Sequence, residues 1–282
     1  MREIEFLIEE KDEGKQIRDY LKAFGVSSAL LTKLKKSEDG IRLNGEFART
    51  IDILKSGDTL KISLDKSGNA PDRNDNLKID KVYEDEDVLV VNKPAFMPVH
   101  ESRNHRGDTL ANAVSAIIGE NCAFRAVFRL DRDTSGLVLI AKNELAAAKL
   151  AGKIKKDYYA VCEGFPSDQG TIDAPIKRMG DSIIKRCVCD DGERAVTHYK
   201  TITSNDEYSL VRLCLETGRT HQIRVHFSHI GHPLVGDTLY GTASKLINRQ
   251  ALHCKTIYFT QPVTNEEITV DCDFPDDFGG LI

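Results

Sequence analysis

The sequence predicts an α+β fold in which a small N-terminal module precedes a larger domain with a mostly antiparallel sheet. The chain of 282 residues is long enough for one large and one small domain, and 40% hydrophobic residues suffice to bury an ordinary core. Short alternating apolar segments outnumber helical segments in the second part of the chain. A polar segment containing Gly68 and Pro71 is typical of a flexible linker. We therefore divide the chain into residues 1–65, 66–78 and 79–282.

The N-terminal module is predicted to contain a strand, two helices and a hairpin, in that order. Alternating apolar residues across 4–8 indicate the strand. Apolar side chains recur at helical spacing across 14–24, and Ser27 can cap a second helix. An Asn-Gly pair at 44–45 and a Ser-Gly-Asp turn at 56–58 each adjoin a strand, which predicts a hairpin-like end to the module.

The larger domain is predicted to contain many short strands and few helices. Helices are predicted over residues 109–118 and over the Ala-rich segment 144–155. Strands are predicted at residues 88–91, 137–141, 158–162, 196–201, 210–215 and 257–260. Hairpin-like strands with few helices favour an α+β domain on a mostly antiparallel sheet with flanking helices.

Composition limits the function. A net charge of -5 argues against indiscriminate binding of polyanions, which depends on many phosphate contacts, so a nucleic-acid site would need locally concentrated basic residues. No run of eighteen apolar residues and no signal-peptide segment is present, so we expect a soluble, cytoplasmic protein with no membrane contact. The seven cysteines form no Cys-x-x-Cys pair and are expected to be reduced packing residues.

The segment Phe128 to Leu137 places an acid, Asp131, between two arginines at a turn that leads into an apolar strand. It resembles the catalytic motif of the RluA-type RNA pseudouridine synthases, His-Arg-Leu-Asp-x-x-Thr-Ser-Gly-Leu, in which the Asp is catalytic. The chain departs from this motif at Phe128, where the family usually has His. Taken alone, Asp131 could be a turn former, and Asp133 is assigned to structure or solvent.

A second match lies about ninety residues downstream. Residues 218–226 read Gly-Arg-Thr-His-Gln-Ile-Arg-Val-His, and residues 231–241 include the continuation Gly-Asp-x-x-Tyr-Gly. Weaker matches follow the family order at residues 82–94, 156–161 and 252–254. Together they resemble the family over about residues 79–270, which implies the sheet of the pseudouridine synthase type and an RNA uridine isomerase.

The N-terminal module resembles an S4 RNA-binding domain in its order of helices and hairpin, with Leu43-Asn44-Gly45 and Ser56-Gly57-Asp58. A generic small α+β module remains the alternative. The second helix carries basic residues that could bind RNA, although a run of charges is usually a solvated face. The residues assigned to RNA binding are Lys33, Lys35 and Lys36 on this helix and Arg129, Arg132 and Arg219 in the larger domain.

The resemblance also implies roles at the reaction centre. A carboxylate in a pocket the size of a base stays ionised only beside an opposite charge, and the family pairs its Asp with the arginine that corresponds to Arg224. The motif Arg, here Arg129, fills the space left by a flipped base, since a target uridine in structured RNA must leave its stack. Tyr158, favoured over Tyr159 by its register, is expected to stack on the uracil.

The reaction implied needs no redox change and no group donor, and no dinucleotide or Walker motif is present, so we expect no cofactor. Four histidines match no metal-ligand spacing, so we expect no metal and interpret them as structural or RNA-contacting; they are His221, His226, His229 and His232. The expected partner is structured RNA, ribosomal rather than transfer RNA, bound by a monomer. The alternatives are a tRNA-directed synthase, a non-catalytic ribosome-assembly factor and a hydrolase that releases uracil.

Overall fold

A computed structural model gives the fold of the chain. It describes residues 1–65, 68, 70–119, 122–180 and 182–281. Residues 66, 67 and 69 of the predicted linker lie outside the described residues.

The N-terminal module has the predicted order of elements. They are β1 (Arg2–Leu7), α1 (Ile17–Phe24), α2 (Ser28–Lys36), β2 (Ile41–Leu43), β3 (Glu46–Phe47) and β4 (Thr59–Leu64). The strands form one sheet in the order β1-β4-β2-β3. The predicted cap is confirmed, because the Ser27 side chain accepts a hydrogen bond from the backbone N–H of Leu30 at 3.1 Å. The turn between β2 and β3 is also confirmed, with positive φ at Asn44 (52°) and Gly45 (86°).

The larger domain is built on a nine-stranded sheet in the order β5-β6-β7-β14-β8-β13-β12-β9, with β15 paired to β14. Its elements are β5 (Asp80–Glu84), β6 (Val88–Lys93), α3 (Leu110–Ile118), β7 (Ser135–Ala141), α4 (Glu144–Leu150), β8 (Lys155–Glu163), β9 (Gln169–Asp173), β10 (Ile176–Arg178), β11 (Arg186–Val188), β12 (Val196–Ser204), β13 (Tyr208–Leu215), α5 (Gln222–His229), β14 (Leu252–Thr260) and β15 (Glu267–Asp271). Only the β7–β14 pair is parallel among the described strand pairs of this sheet, so the predicted α+β class is confirmed. Within the described residues no helix is both long and apolar enough to cross a membrane.

Two differences from the predicted secondary structure concern helices of the larger domain. Helix α4 ends at Leu150 rather than at residue 155, because Gly152 adopts a positive φ of 71° and β8 begins at Lys155. Helix α5 was not predicted. Its polar residues Gln222 and Arg224 are buried, so the helix has no exposed polar face to give the usual amphipathic pattern.

The N-terminal module packs directly against the larger domain. Leu145 of α4 is fully buried and belongs to the hydrophobic core of the module. Arg2 donates to Asp87 through Nε at 3.1 Å, and the Lys149 ammonium lies 3.7 Å from the centre of the Phe24 ring. These contacts combine apolar burial with an ion pair, so the module is docked on α4 and on the loop before β6.

The described part of the predicted linker is also hydrogen-bonded to the larger domain. The Asn112 side chain donates to the carbonyl oxygen of Asp72 at 2.8 Å, and the Asn74 side chain donates to that of Gly107 at 2.6 Å. The polar composition predicts flexibility, but these side-chain to backbone bonds to α3 and the loop before it hold the segment in place.

Candidate active site

A cleft of about 1940 Å³ is lined mainly by residues 98–101, 126–132, 152–158 and 214–220. Its lining has seven basic side chains and five carboxylates, whereas the whole chain has 39 basic and 44 acidic residues. The basic residues are Arg129, Arg132, Lys153, Lys155, Lys156, Arg212 and Arg219. Positive charge is therefore concentrated here, as an RNA partner would require of an acidic protein.

Asp131 lies in this lining, on a tight turn that leads into β7. The backbone N–H of Thr134 donates to the carbonyl oxygen of Asp131 at 3.1 Å, and we call residues 131–134 the Asp131 turn. Two residues later Gly136 has a φ of 116°, and a Cβ atom there would lie 2.3 Å from the carbonyl oxygen of Cys254. Glycine is required at this position, because β7 approaches β14 too closely for any side chain.

Buried cations hold the backbone of the Asp131 turn. Lys93 is fully buried, and its ammonium donates to three carbonyl oxygens, those of Pro94 (2.8 Å), Met97 (2.9 Å) and Arg132 (3.0 Å). Arg249 donates from Nη1 to the carbonyl oxygen of Asp133 at 3.2 Å. Burial lowers the pKa of Lys93 to about 7, although nearby Asp133 opposes this shift. The position of the turn thus depends on polar contacts from distant parts of the chain.

The guanidinium of Arg224, on α5, joins two carboxylates. It donates from Nη1 to Oδ2 of Asp131 at 3.2 Å, and from Nε and Nη2 to the two oxygens of Asp237 at 2.7 and 2.9 Å. Burial alone would lower the pKa of Arg224, but pairing with Asp237 and Asp131 outweighs it and raises that pKa. Arg224 is therefore a permanent positive charge beside Asp131, fixed by its two-point contact with Asp237.

Tyr158, on β8, also lines the cleft and is only 6% exposed. Burial raises its pKa well above the ordinary value, and nearby Cys254 and Asp131 act in the same direction, so the phenol is neutral. Tyr159 lies on the opposite face of the strand, where its ring makes an edge contact with Phe274. The cleft side of β8 thus presents the tyrosine that the register predicted.

Phe128 takes part in the packing of the cleft wall. The ammonium of Lys156 lies 4.5 Å from the centre of its ring, within cation–π range. Burial lowers the pKa of Lys156. An aromatic ring that supports a lysine therefore occupies the position where the motif usually has His.

The three arginines assigned to RNA binding all line the cleft. Arg129 is exposed and forms no ion pair within the described part of the chain. Arg132 pairs with Asp133 at 2.6 Å, and Arg219 pairs with Glu193. Arg129 is thus the most available of the three for an incoming ligand.

The lysines assigned to RNA binding lie elsewhere. Lys33 pairs with Glu144 of α4, so its charge is used where the module meets the larger domain. Lys35 and Lys36 are exposed on α2. No residue of 1–65 belongs to the described lining of the cleft. Any contact of these lysines with RNA would involve a surface separate from the cleft.

Three residues of the site were not assigned a role at the reaction centre from the sequence. Asp237 lies in the Gly-Asp-x-x-Tyr-Gly block, which was identified without a function for the Asp. His221 lies with Nε2 3.9 Å from Oδ1 of Asp131. Lys93 is the last residue of the apolar strand β6, and only the fold shows that its buried side chain reaches the carbonyl oxygen of Arg132. For Asp237 and His221, their position in the sequence blocks that match the family was the feature that could have indicated a role.

Comparison with known proteins identifies relatives. The family described as RNA pseudouridylate synthase matches residues 87–229. An uncharacterized RNA pseudouridine synthase of Bacillus subtilis, YjbO, is 40% identical over 276 residues, which cover 94% of this chain and 98% of that protein. The ribosomal large subunit pseudouridine synthase D of Zymomonas mobilis is 38% identical, covering 79% of this chain and 78% of the relative.

The fold is likewise similar to a solved structure. Human RNA pseudouridylate synthase domain containing 1 matches with a TM-score of 0.58 and 29% identity, covering 70% of this chain and 84% of that protein. The matched family region contains the Asp131 turn, Tyr158 and Arg224.

Proposed function

This chain belongs to the RluA-type RNA pseudouridine synthases, and we propose that it isomerises specific uridines of structured RNA with Asp131 as the catalytic carboxylate and with no cofactor. The enzyme class follows from the family. The target RNA and the residues that perform the reaction are the parts we propose.

The observation that carries the proposal is the position of Asp131 at the cleft. Its side chain is 25% exposed, so a ligand can reach it, while Oδ2 is held at 3.2 Å by Arg224. Arg224 is itself fixed by Asp237, so the carboxylate faces the cleft beside a permanent charge. Such preorganisation gives a reacting group its position and its charge before substrate arrives.

The reaction is an isomerisation, and its atoms balance within one nucleotide. The bond between ribose C1' and uracil N1 breaks, the base rotates, and a bond forms between C1' and C5. The proton lost from C5 is matched by the proton gained at N1. Asp131 acts as a nucleophile toward the sugar or as acceptor of a sugar proton, and either role needs the ionised carboxylate.

Two further roles complete the proposal. Tyr158 stacks on the uracil, which agrees with its neutral, largely buried ring in the cleft wall. Arg129 occupies the space that the target uridine leaves, since its guanidinium is exposed and planar. Removing a base from its stack costs a few kcal/mol, and a guanidinium that replaces the base recovers part of this energy.

We further propose ribosomal RNA as the target, with residues 1–65 acting as an S4-like RNA-binding domain, 66–78 as a linker and 79–282 as the catalytic domain. Support for this target comes from relatives named as ribosomal large subunit pseudouridine synthases, including that of Zymomonas mobilis. A docked N-terminal module with exposed lysines agrees with binding a large structured RNA.

The test is to map pseudouridines across all cellular RNA with and without this protein, and to repeat the reaction with purified protein on ribosomal and transfer RNA transcripts. We expect specific positions in ribosomal RNA to lose pseudouridine in cells that lack the protein. The purified protein should form pseudouridine at the same positions in ribosomal RNA transcripts. Loss confined to transfer RNA would overturn the choice of target. Release of free uracil without isomerisation would overturn the proposed chemistry.

A further inference from the structure

His221 has an unusual backbone conformation immediately before α5. Its φ and ψ of 58° and 20° are left-handed, a region that residues other than glycine seldom adopt. The first residues of α5 follow directly, so this conformation sets the direction in which the imidazole leaves the chain. Conformations of this kind persist where the surrounding structure fixes them, and they concentrate at functional sites.

Tyr240 holds the orientation of this ring. The Tyr240 hydroxyl lies 2.9 Å from Nδ1 of His221, and the two rings make an edge contact at 5.7 Å. The same hydroxyl accepts a hydrogen bond from the backbone N–H of Arg186 at 2.9 Å. Its own proton can be donated to Nδ1, and in that arrangement the neutral imidazole carries its proton on Nε2.

The environment favours this neutral form. Burial lowers the pKa of His221; nearby Asp131 opposes this effect, and the charges of Arg224 and Arg186 reinforce it. The side chain is 13% exposed, so water has little access to the ring. A neutral imidazole in this tautomer has one N–H donor left, at Nε2.

This donor faces the carboxylate oxygen that Arg224 does not hold. Nε2 of His221 lies 3.9 Å from Oδ1 of Asp131, whereas Arg224 contacts Oδ2. The distance is about 1 Å longer than an ordinary N–H to oxygen hydrogen bond. Catalytic hydrogen bonds are often long in free enzymes and shorten when substrate binds.

We infer that His221 is a positioning residue, which donates from Nε2 to Oδ1 of Asp131 when RNA fills the cleft. Arg224 and His221 then hold one carboxylate oxygen each, and this fixes the rotation of the carboxylate about its bond to Cβ. Each oxygen has two acceptor sites, so one site on Oδ1 remains for the ribose. This inference rests on the proposed role of Asp131.

Two amide substitutions separate positioning of the carboxylate from a role in the turn. His221→Gln can place an amide N–H near the position of Nε2. His221→Asn is too short to reach Asp131, but it can approach Tyr240 and tolerates the left-handed backbone better. His221→Leu removes both contacts. If His221 has only a structural role, His221→Asn should retain more activity than His221→Gln. If His221 positions Asp131, His221→Gln should retain more.

The measurements are the single-turnover rate of pseudouridine formation at saturating protein, the affinity for the same RNA, and thermal unfolding. We expect His221→Asn and His221→Leu to slow the chemical step by about 10- to 100-fold, as for a lost hydrogen bond to a charged group. We expect His221→Gln to retain most of the rate and all three variants to keep the RNA affinity. Equal rates for Asn and Gln, or a loss confined to affinity, would overturn the inference.

Asp131→Asn, measured in the same assay, distinguishes the two proposals. If Asp131→Asn is inactive while every His221 variant matches wild type, the inference about His221 is wrong and the proposed function stands. If Asp131→Asn retains activity, the proposed catalytic role of Asp131 is wrong, and the inference about His221 is wrong with it.

Discussion

The charged residues packed around the Asp131 turn and those on helix α2 are in opposite environments. Around the turn the ionisable side chains of Lys93, Arg224 and Asp237 are buried and hydrogen-bonded. On α2 Lys35 and Lys36 are exposed to solvent. A buried charge has few alternative partners, so each contact constrains geometry, whereas an exposed charge acts mainly through its field. Substitutions should therefore change the chemical step at the turn and the RNA affinity at α2.

The largest effect is expected for Asp131→Asn. The substitution keeps the volume of the side chain and removes the negative charge, so isomerisation should be abolished while folding and RNA binding remain. Pseudouridine formation and thermal unfolding of the purified variant are the measurements. Mass spectrometry must exclude deamidation back to Asp, and turnover by the intact Asn variant would mean that the carboxylate at the turn is not the catalytic one.

The next largest effect is expected for Arg224→Met, because it leaves Asp237 buried without its partner. Breaking one side of a buried ion pair costs about 3–5 kcal/mol of unfolding free energy. The single-turnover rate should fall as well, because Asp131 loses its positive neighbour. Chemical denaturation and single-turnover rates measure the two effects.

Arg224→Lys is the matched control. It keeps a charge but loses the planar two-point contact with Asp237, so both effects should be intermediate. If Arg224→Met instead costs about 0–1 kcal/mol and changes the rate little, the contact behaves as an exposed surface pair, and the contrast between the two regions fails.

The two regions also differ in what their sequences reveal. The Ser27 cap and the Asn44-Gly45 turn depend on neighbouring residues, so local patterns predicted them. The pairing of Asp131 with Arg224 was expected only from the resemblance, because 93 positions separate the two residues. No local pattern reveals that Arg224 binds Asp237 in two places, since that contact depends on how α5 packs.

The docking of the N-terminal module was missed for a related physical reason. Composition predicts whether a linker can be flexible, but not whether the domains beside it bury a shared surface. Leu145 appeared to be an ordinary apolar residue of a predicted helix, and only the fold shows that it completes the core of the module.

A pH-dependent effect on stability is expected at Lys93. Its ordinary pKa is 10.5 and its folded pKa is about 7, so between these values the unfolded chain binds a proton that the native chain does not. The stability contributed by this group therefore rises with pH across that window and is lost as pH falls through 7. In Lys93→Met this contribution to the pH dependence of stability should disappear. Between pH 7 and pH 10.5 the unfolding free energy of the wild type, relative to that of the variant, should therefore rise by up to about 1.4 kcal/mol per pH unit.

Denaturant unfolding of both proteins from pH 6 to pH 10 measures this difference, and comparison with the variant cancels the other groups that titrate. Lys93→Met should also be less active, because the carbonyl oxygen of Arg132 loses its donor. Parallel stability curves for the two proteins would show that the buried amine does not titrate in this window.

The smallest effect is expected on α2, where the exposed charges act on RNA through their field. Replacing Lys35 and Lys36 by Ala should weaken RNA binding and lower the salt dependence of affinity by about one unit of slope for each lysine that contacts a phosphate. The rate at saturating RNA should not change, because neither residue lines the cleft. Lys33→Ala on the same helix is the matched control, since Lys33 already pairs with Glu144 and should alter the salt slope less. Binding titrations at several salt concentrations measure these slopes. An equal loss of slope for Lys33→Ala would mean that RNA displaces Glu144 from Lys33. A lower rate at saturating RNA for the double variant would mean that the module also acts on the chemical step.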